Sequence, residues 1–238
     1  CIMQATSWLH VRTGTVGRLT GVGGLLLLLV AGPVSAMFAA PRTTPLQPGQ
    51  DVIVRELGAG KLLVAARNLH DPNFTDTVVF LVQHSAEGAA GLVINRPSGV
   101  PLSRAVPGVA AGAGAGATTF IGGPVSQQDV LALSRTACAA CPLVGRDVYL
   151  VNSADALKER VTAGADERQL RVYLGYAGWG AGQLEMETRR GGWRVLDADA
   201  RVVFDPDPET LWRRLIRRTE GVLARWRESP RTSALGPG

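Results

Sequence analysis

An α+β fold, a single compact domain in which a mainly antiparallel sheet packs with a few helices, is what this 238-residue sequence predicts. Three observations carry that expectation. Short runs rich in β-branched and apolar residues, KLLVAA, TVVFLVQH and AGLVIN, recur between turn-forming segments. Helical patterns are few, and they alternate with strands without the regular rhythm of βαβ units. The last helix has an explicit start, with Asp207 as cap and Pro208 in the first helical position.

Ahead of the domain, residues 1–36 read as a secretory signal peptide. Arg12 and Arg18 precede the leucine-rich GVGGLLLLLVAGP, which leads to Val34-Ser35-Ala36, an A-x-A-like cleavage site. The apolar run is short for a bilayer span and Gly32-Pro33 interrupts it, which favours a cleaved leader over an anchor. A periplasmic or secreted protein is therefore expected, and initiation at Met37 is the alternative that would make it cytoplasmic. Loss of the leader removes two arginines and no acid, lowering the net charge from +5 to +3. So mild a basic balance argues against direct DNA binding. Residues 37–51, with three prolines in MFAAPRTTPLQPGQ, form an expected tether.

The domain is expected over residues 52–221. Lys61 to Ala66 and Thr77 to His84 are strands flanking the HDPNF turn segment, and Ala90 to Asn95 is a third, ended by Arg96-Pro97 because proline cannot donate to a ladder. The alanine- and glycine-rich run from Val109 to Thr118 reads as a loop. Thr119 to Ile121 and Val130 to Ser134 are short strands around GGPVSQQD, and Asp147 to Val151 is another. Helix-start residues at Asn152 to Asp155 open a helix over Ala156 to Thr162, with Gly164 as its stop. Val172 to Tyr176 reads as a central strand, and Gln183 to Arg190 as a short helix closed by Gly191-Gly192. Trp193 to Leu196 and Arg201 to Phe204 read as strands. In the final helix Leu211, Trp212, Leu215 and Ile216 share one face, with Arg213, Arg214, Arg217 and Arg218 opposite. The arginine-containing tail, residues 222–238, carries Arg225, Trp226 and Arg227 and is the part most open to a partner or to an anionic membrane surface.

No cofactor is expected. HExxH, G-x-S-x-G and GxxxxGK[ST] are all missing, which lowers an enzyme reading. Cys138 and Cys141 form an isolated CAAC pair, without the second pair a zinc site needs, so no metal site is assigned and a local disulfide or two free thiols is the expectation. Gly178, Gly180 and Gly182 in LGYAGWGAGQLE are expected between a strand and a helix, where backbone N–H groups can face an anion. Against that, the pattern is not GxGxxG, and a tight turn folding Trp179 onto the sheet is the stronger reading. Asp71 and Asn73 suit Asx turns, and His84 sits a strand's length away, about 23 Å if fully extended. Glu185 and Glu187, two apart, point to different sides of a helix.

DPNF with TVVFLVQH, GLVINRP, FIGGPV, YLGYAGWGAGQLE and DPDPETLWRRL occur in an order that resembles the bacterial AlgH/YqgE family, over about Lys61 to Gly221. The resemblance implies a compact α+β fold with a bifurcated, mainly antiparallel sheet. It also implies a family surface at Asp71, Pro72, Asn73, Phe74, His84, Gly91, Asn95, Pro97, Gly122, Gly123, Pro124, Gly175, Tyr176, Gly178, Trp179, Gly180, Gly182, Gln183, Leu184 and Trp212. The family's transcriptional-regulator label finds no helix-turn-helix here. The leading expectation is a non-enzymatic, regulatory binding module for an unknown protein or a small anionic ligand. Its candidate ligand-binding residues are Asp71, Asn73, His84, Asn95, Gly122, Gly123, Gly178, Trp179, Gly180, Gly182 and Gln183. A small hydrolase or transferase holding an anion at Gly178 to Gly182 is the alternative.

Overall fold

A computed structural model describes residues 56–106, 117–139, 141–151 and 153–228. The leader, the whole tether, most of the alanine- and glycine-rich run and residues 229–238 lie outside the described residues.

Among the described residues ten strands and five helices follow in the order β1 (Lys61–Ala65), β2 (Val78–Ser85), β3 (Gly88–Val93), β4 (Pro97–Pro101), α1 (Leu102–Ala105), β5 (Thr118–Ile121), β6 (Val125–Ser134), β7 (Leu143–Gly145), β8 (Val148–Val151), α2 (Ala154–Thr162), β9 (Leu170–Gly180), α3 (Gln183–Arg189), β10 (Trp193–Asp197), α4 (Ala200–Val203) and α5 (Pro208–Glu228). The fold is α+β, and one path of strands runs β10-β1-β2-β3-β9-β6-β8-β7, with β4 and β5 attached at β9. Every pair of these strands is antiparallel except β5 with β9.

The long strand β9 makes the sheet bifurcate. Residues from Leu170 to Leu174 pair with β6, and Tyr173 and Leu174 also pair with β5, whereas Ala177 to Gly180 pair with β3. Between the two halves the chain turns at Gly175, with φ +68°, and a Cβ there would lie 2.6 Å from the Val125 carbonyl oxygen. Opposite that bend, Gly122 joins both neighbours by accepting from Val93 N–H at 2.8 Å and donating to Leu174 C=O at 2.8 Å. Its missing Cβ is what permits the approach, since one would sit 2.2 Å from the Gly175 oxygen. The FIGGPV motif is thus the seam of the two sheets.

The larger core lies along β10-β1-β2-β3 and includes Leu62, Val79, Phe80 and Leu92, sealed by Leu211, Trp212, Leu215 and Ile216 of α5. The indole of Trp212 donates to Ala65 C=O at 2.8 Å, which fixes where that helix sits on β1. A smaller core joins α1, α2, β6, β8 and β9 through Leu102, Val151, Leu157, Val161 and Val172. Cys138 and Cys141 are paired as a local disulfide beside it, with Cα atoms 5.1 Å apart.

Several elements differ from expectation. Arg201 to Phe204 is not a strand: the Asp199 carboxylate accepts from Arg201 N–H at 2.9 Å and Val202 N–H at 3.2 Å, and this cap nucleates α4 despite its two valines. Gly178 and Gly180 do not lie in a turn but inside β9, opposite Ala90 and Gly88. Pro97 opens a strand, β4, rather than only ending one, which its position as first residue allows. The last helix continues through Gly221 to Glu228, so residues 222–228 are helical.

Replacing Gly122 by alanine should cost about 3 kcal/mol or more of unfolding free energy, because neither backbone can withdraw without opening a ladder. Urea denaturation of the variant measures it.

Candidate functional site

Three of the predicted residues build one loop. The Asp71 carboxylate accepts from Asn73 N–H at 2.8 Å, and its carbonyl takes Phe74 N–H and Thr75 N–H, both at 2.9 Å. Asn95 clamps the loop's far end, accepting from Val78 N–H at 2.7 Å and donating to Asp76 C=O at 2.9 Å. Arg96 reaches back to the carbonyls of Asn73 and Thr75 at 3.1 and 3.3 Å. Asp71, Pro72 and Asn73 stay exposed on a loop held at both ends.

The clamp fixes Phe74, which stacks on Trp179 with centroids 5.7 Å apart and meets Trp193 edge-on at 5.6 Å. Trp179 and Trp193 contact each other at 5.9 Å. Their strands, β9 and β10, are four steps apart in the sheet and would be separated by about 19 Å if it were flat. Contact between them requires the sheet to curl until its ends face one another.

Helix α3 closes the curl. Glu187 Oε2 accepts from Trp179 Nε1–H at 3.1 Å and from Trp193 Nε1–H at 2.9 Å, while Oε1 accepts from the Gln183 amide at 2.9 Å. Gln183 Oε1 in turn accepts from Gly180 N–H at 3.1 Å. The spacing of Gln183 and Glu187, one helical turn, makes this relay. Leu184 is buried beneath it at 1% exposure. On the adjacent side Glu185 Oε1 meets His84 Nε2 at 2.8 Å, tying α3 to the end of β2. The amide at Glu185's own position in the first turn of the helix, and then the His84 imidazole, hold that carboxyl below its ordinary value of 4.5.

The structure therefore joins Asp71, Asn73 and Asn95 with Trp179, Gly180 and Gln183, and sets His84 on Glu185 rather than on Asp71. Gly122 and Gly123 lie farther back along β9, against Gly175 to Ala177. Glu185, Glu187, Trp193 and Arg96 are the contacting neighbours that were not among the candidate positions. The one-turn spacing of Gln183 and Glu187 was the available signal. Gly178, Gly180, Ala181, Gly182 and Gln183 form an exposed ledge, tied to the exposed Asp71–Asn73 loop through the stacking of Phe74 on Trp179. Of the backbone N–H groups along the ledge, that of Gly180 is taken up by Gln183.

The blocks that build this assembly all fall within residues 62–224, which match the model of the AlgH-like family. The chain belongs to that family. Among its relatives, a UPF0301 protein of Streptomyces avermitilis is 39% identical over 170 residues, covering 69% of this chain and 88% of that one. A UPF0301 protein of Magnetococcus marinus is 36% identical over 170 residues, covering 67% and 87%. The solution structure of AlgH from Pseudomonas aeruginosa is similar at TM-score 0.58 and 31% identity, over 72% of this chain and 93% of that one. The crystal structure of a Corynebacterium diphtheriae protein is similar at TM-score 0.57 and 26% identity, over 68% and 87%. The family places this AlgH-like chain among proteins of uncharacterised molecular function.

Glu187→Ala would strand two indole donors on side chains 5% and 2% exposed and should cost about 2–4 kcal/mol, whereas Glu187→Gln, which keeps one acceptor, should cost about half that. Denaturation followed by tryptophan fluorescence distinguishes the two. For Glu185, the depressed folded pKa means its contribution is full above the ordinary carboxylate range and disappears as pH falls through the folded value. The stability difference between wild type and Glu185→Gln should accordingly shrink as pH is lowered through and below the ordinary value of 4.5, by the same denaturation assay.

Proposed function

We propose that this chain is a non-enzymatic, regulatory binding module whose ledge at Gly178 to Gln183, with the Asp71–Asn73 loop, receives a partner protein. The observation that carries the reading is that the polar groups under the ledge are spent on one another. Glu187 takes three donors and Gln183 takes Gly180 N–H, so the site is a stiff floor rather than a set of free catalytic groups. What remains outward is glycine backbone and short polar side chains, a surface that a partner's main chain can approach closely. The alternative of a hydrolase or transferase holding an anion there has less support, since it needs the N–H that Gln183 occupies. Export by the residue 1–36 leader belongs to the same proposal, and the Cys138–Cys141 pairing supports an oxidising compartment.

Photo-cross-linking from residue 73 or residue 182 in the native host should give one discrete protein adduct in the envelope fraction. The exposed Glu159 position on α2 should give none. An absence of adducts, or the same adducts from all three positions, would contradict the assignment.

A further inference from the structure

Away from the ledge, a cavity of about 240 Å³ is lined by Arg135, Arg168, Arg201, Phe204 and Pro206. Its three arginines come from three places: Arg135 follows β6, Arg168 precedes β9, and Arg201 lies on α4. Arg135 N–H donates to Gln169 C=O at 2.9 Å, which holds the first two segments side by side. The Arg135 guanidinium lies over the Phe204 ring, 5.9 Å from its centroid. Beneath the cavity Arg171, 3% exposed, donates to Val203 C=O at 3.0 Å and also to Asp205 C=O, pinning the α4–Pro206 wall from below.

Arg201 is paired with Asp199 at 2.9 Å, but among the described residues neither Arg135 nor Arg168 has an ion-pair partner. The neighbouring acids make other hydrogen bonds. Asp166 accepts from Arg168 N–H, Glu167 from Thr118 N–H, and Asp205 from Arg214 and Asp207 N–H. Asp166 and Glu167 keep their charge, so what sets the recess apart is that two of its guanidinium groups, Arg135 and Arg168, line it without an ion-pair partner among the described residues. A phosphate monoester carries about −1.5 to −2 at neutral pH and offers three acceptor oxygens, which suits the planar donor forks of these two arginines. The cavity is smaller than the roughly 300–1,000 Å³ of drug-sized ligand sites, so it suits a headgroup rather than a whole nucleotide. A nucleic-acid strand would need a track of charges along its backbone, and three arginines around one recess do not make one.

We propose that this cavity is a binding site for the phosphate group of a small phosphorylated ligand, separate from the partner surface described above. The test is titration of the full chain with inorganic phosphate at constant ionic strength, followed through the Nε–H resonances of ¹⁵N-arginine. Saturable one-to-one binding that moves Arg135 and Arg168 is expected. The R135Q/R168Q double variant should weaken it by about tenfold or more. R213Q/R217Q, which removes the same charge from exposed positions on α5, should change it less than about twofold. R168Q alone decides the matter should the double variant fail to fold, with an expected loss of about threefold or more. Non-saturable binding, or an equal loss in the two double variants, would overturn the proposal. So would an oligonucleotide that binds through the same arginines where inorganic phosphate does not.

Discussion

One carboxylate holds the two ends of a five-strand path together. Trp179 on β9 and Trp193 on β10 both donate to Glu187 Oε2, and no flat β10-β1-β2-β3-β9 sheet could bring those indoles within reach of a single oxygen. Burying two large aromatic side chains against Phe74 favours the curl, and supplying both N–H groups with one charged acceptor removes the cost that burial would otherwise impose. Much else depends on that arrangement. Helix α3 must lie across the opening, Leu184 must point into the core, and Gln183 must face Gly180. The ledge proposed as a partner surface is the outer rim of this closure, so its shape is set by groups a partner never touches.

The curl can coexist with the second sheet only because β9 serves both. Its first half belongs with β5 and β6 and its second half with β3, and the change of direction falls on Gly175 opposite Gly122. Two backbones pass there at a distance that admits no side chain. The glycine-rich motifs GGPV and LGYAGWGAG are therefore read differently along their length. Gly122 and Gly175 are required by packing at the seam, while Gly180 and Gly182 lie exposed on the ledge. The cavity at Arg135, Arg168 and Arg201 sits on the other half, at the end of the β6–β9 ladder, where α4 and the Pro206 turn rest on buried Arg171.

Most of the fold was legible in the sequence because its strands are short, β-branched runs separated by strong turn residues, and because α5 starts at Asp207-Pro208. The helix at Ala200–Val203 was not, since Val202 and Val203 favour strand locally and only the Asp199 cap reverses the outcome. Placing Gly178 and Gly180 in a turn failed for a related reason: glycine marks a turn by default, whereas here β3 approaches closely enough to keep both in the ladder. Asp71 behaved as its residue type suggests, capping its own turn. His84, Glu185 and Glu187 could be seen as polar residues, but their partners come from elements brought together by the curl, which no local pattern encodes. The arginine cavity was hidden for the same reason, its members being unremarkable singly and informative only once β6, β9 and α4 converge.

Hydrogen exchange at the two indole nitrogens, followed in protein labelled with ¹⁵N-tryptophan, tests the closure directly. If Glu187 joins the ends of the sheet, the Nε1–H groups of Trp179 and Trp193 should both be strongly protected, and a single opening event should expose them together. Exchange of either indole at the rate of a free side chain, or protection of one without the other, would contradict the account.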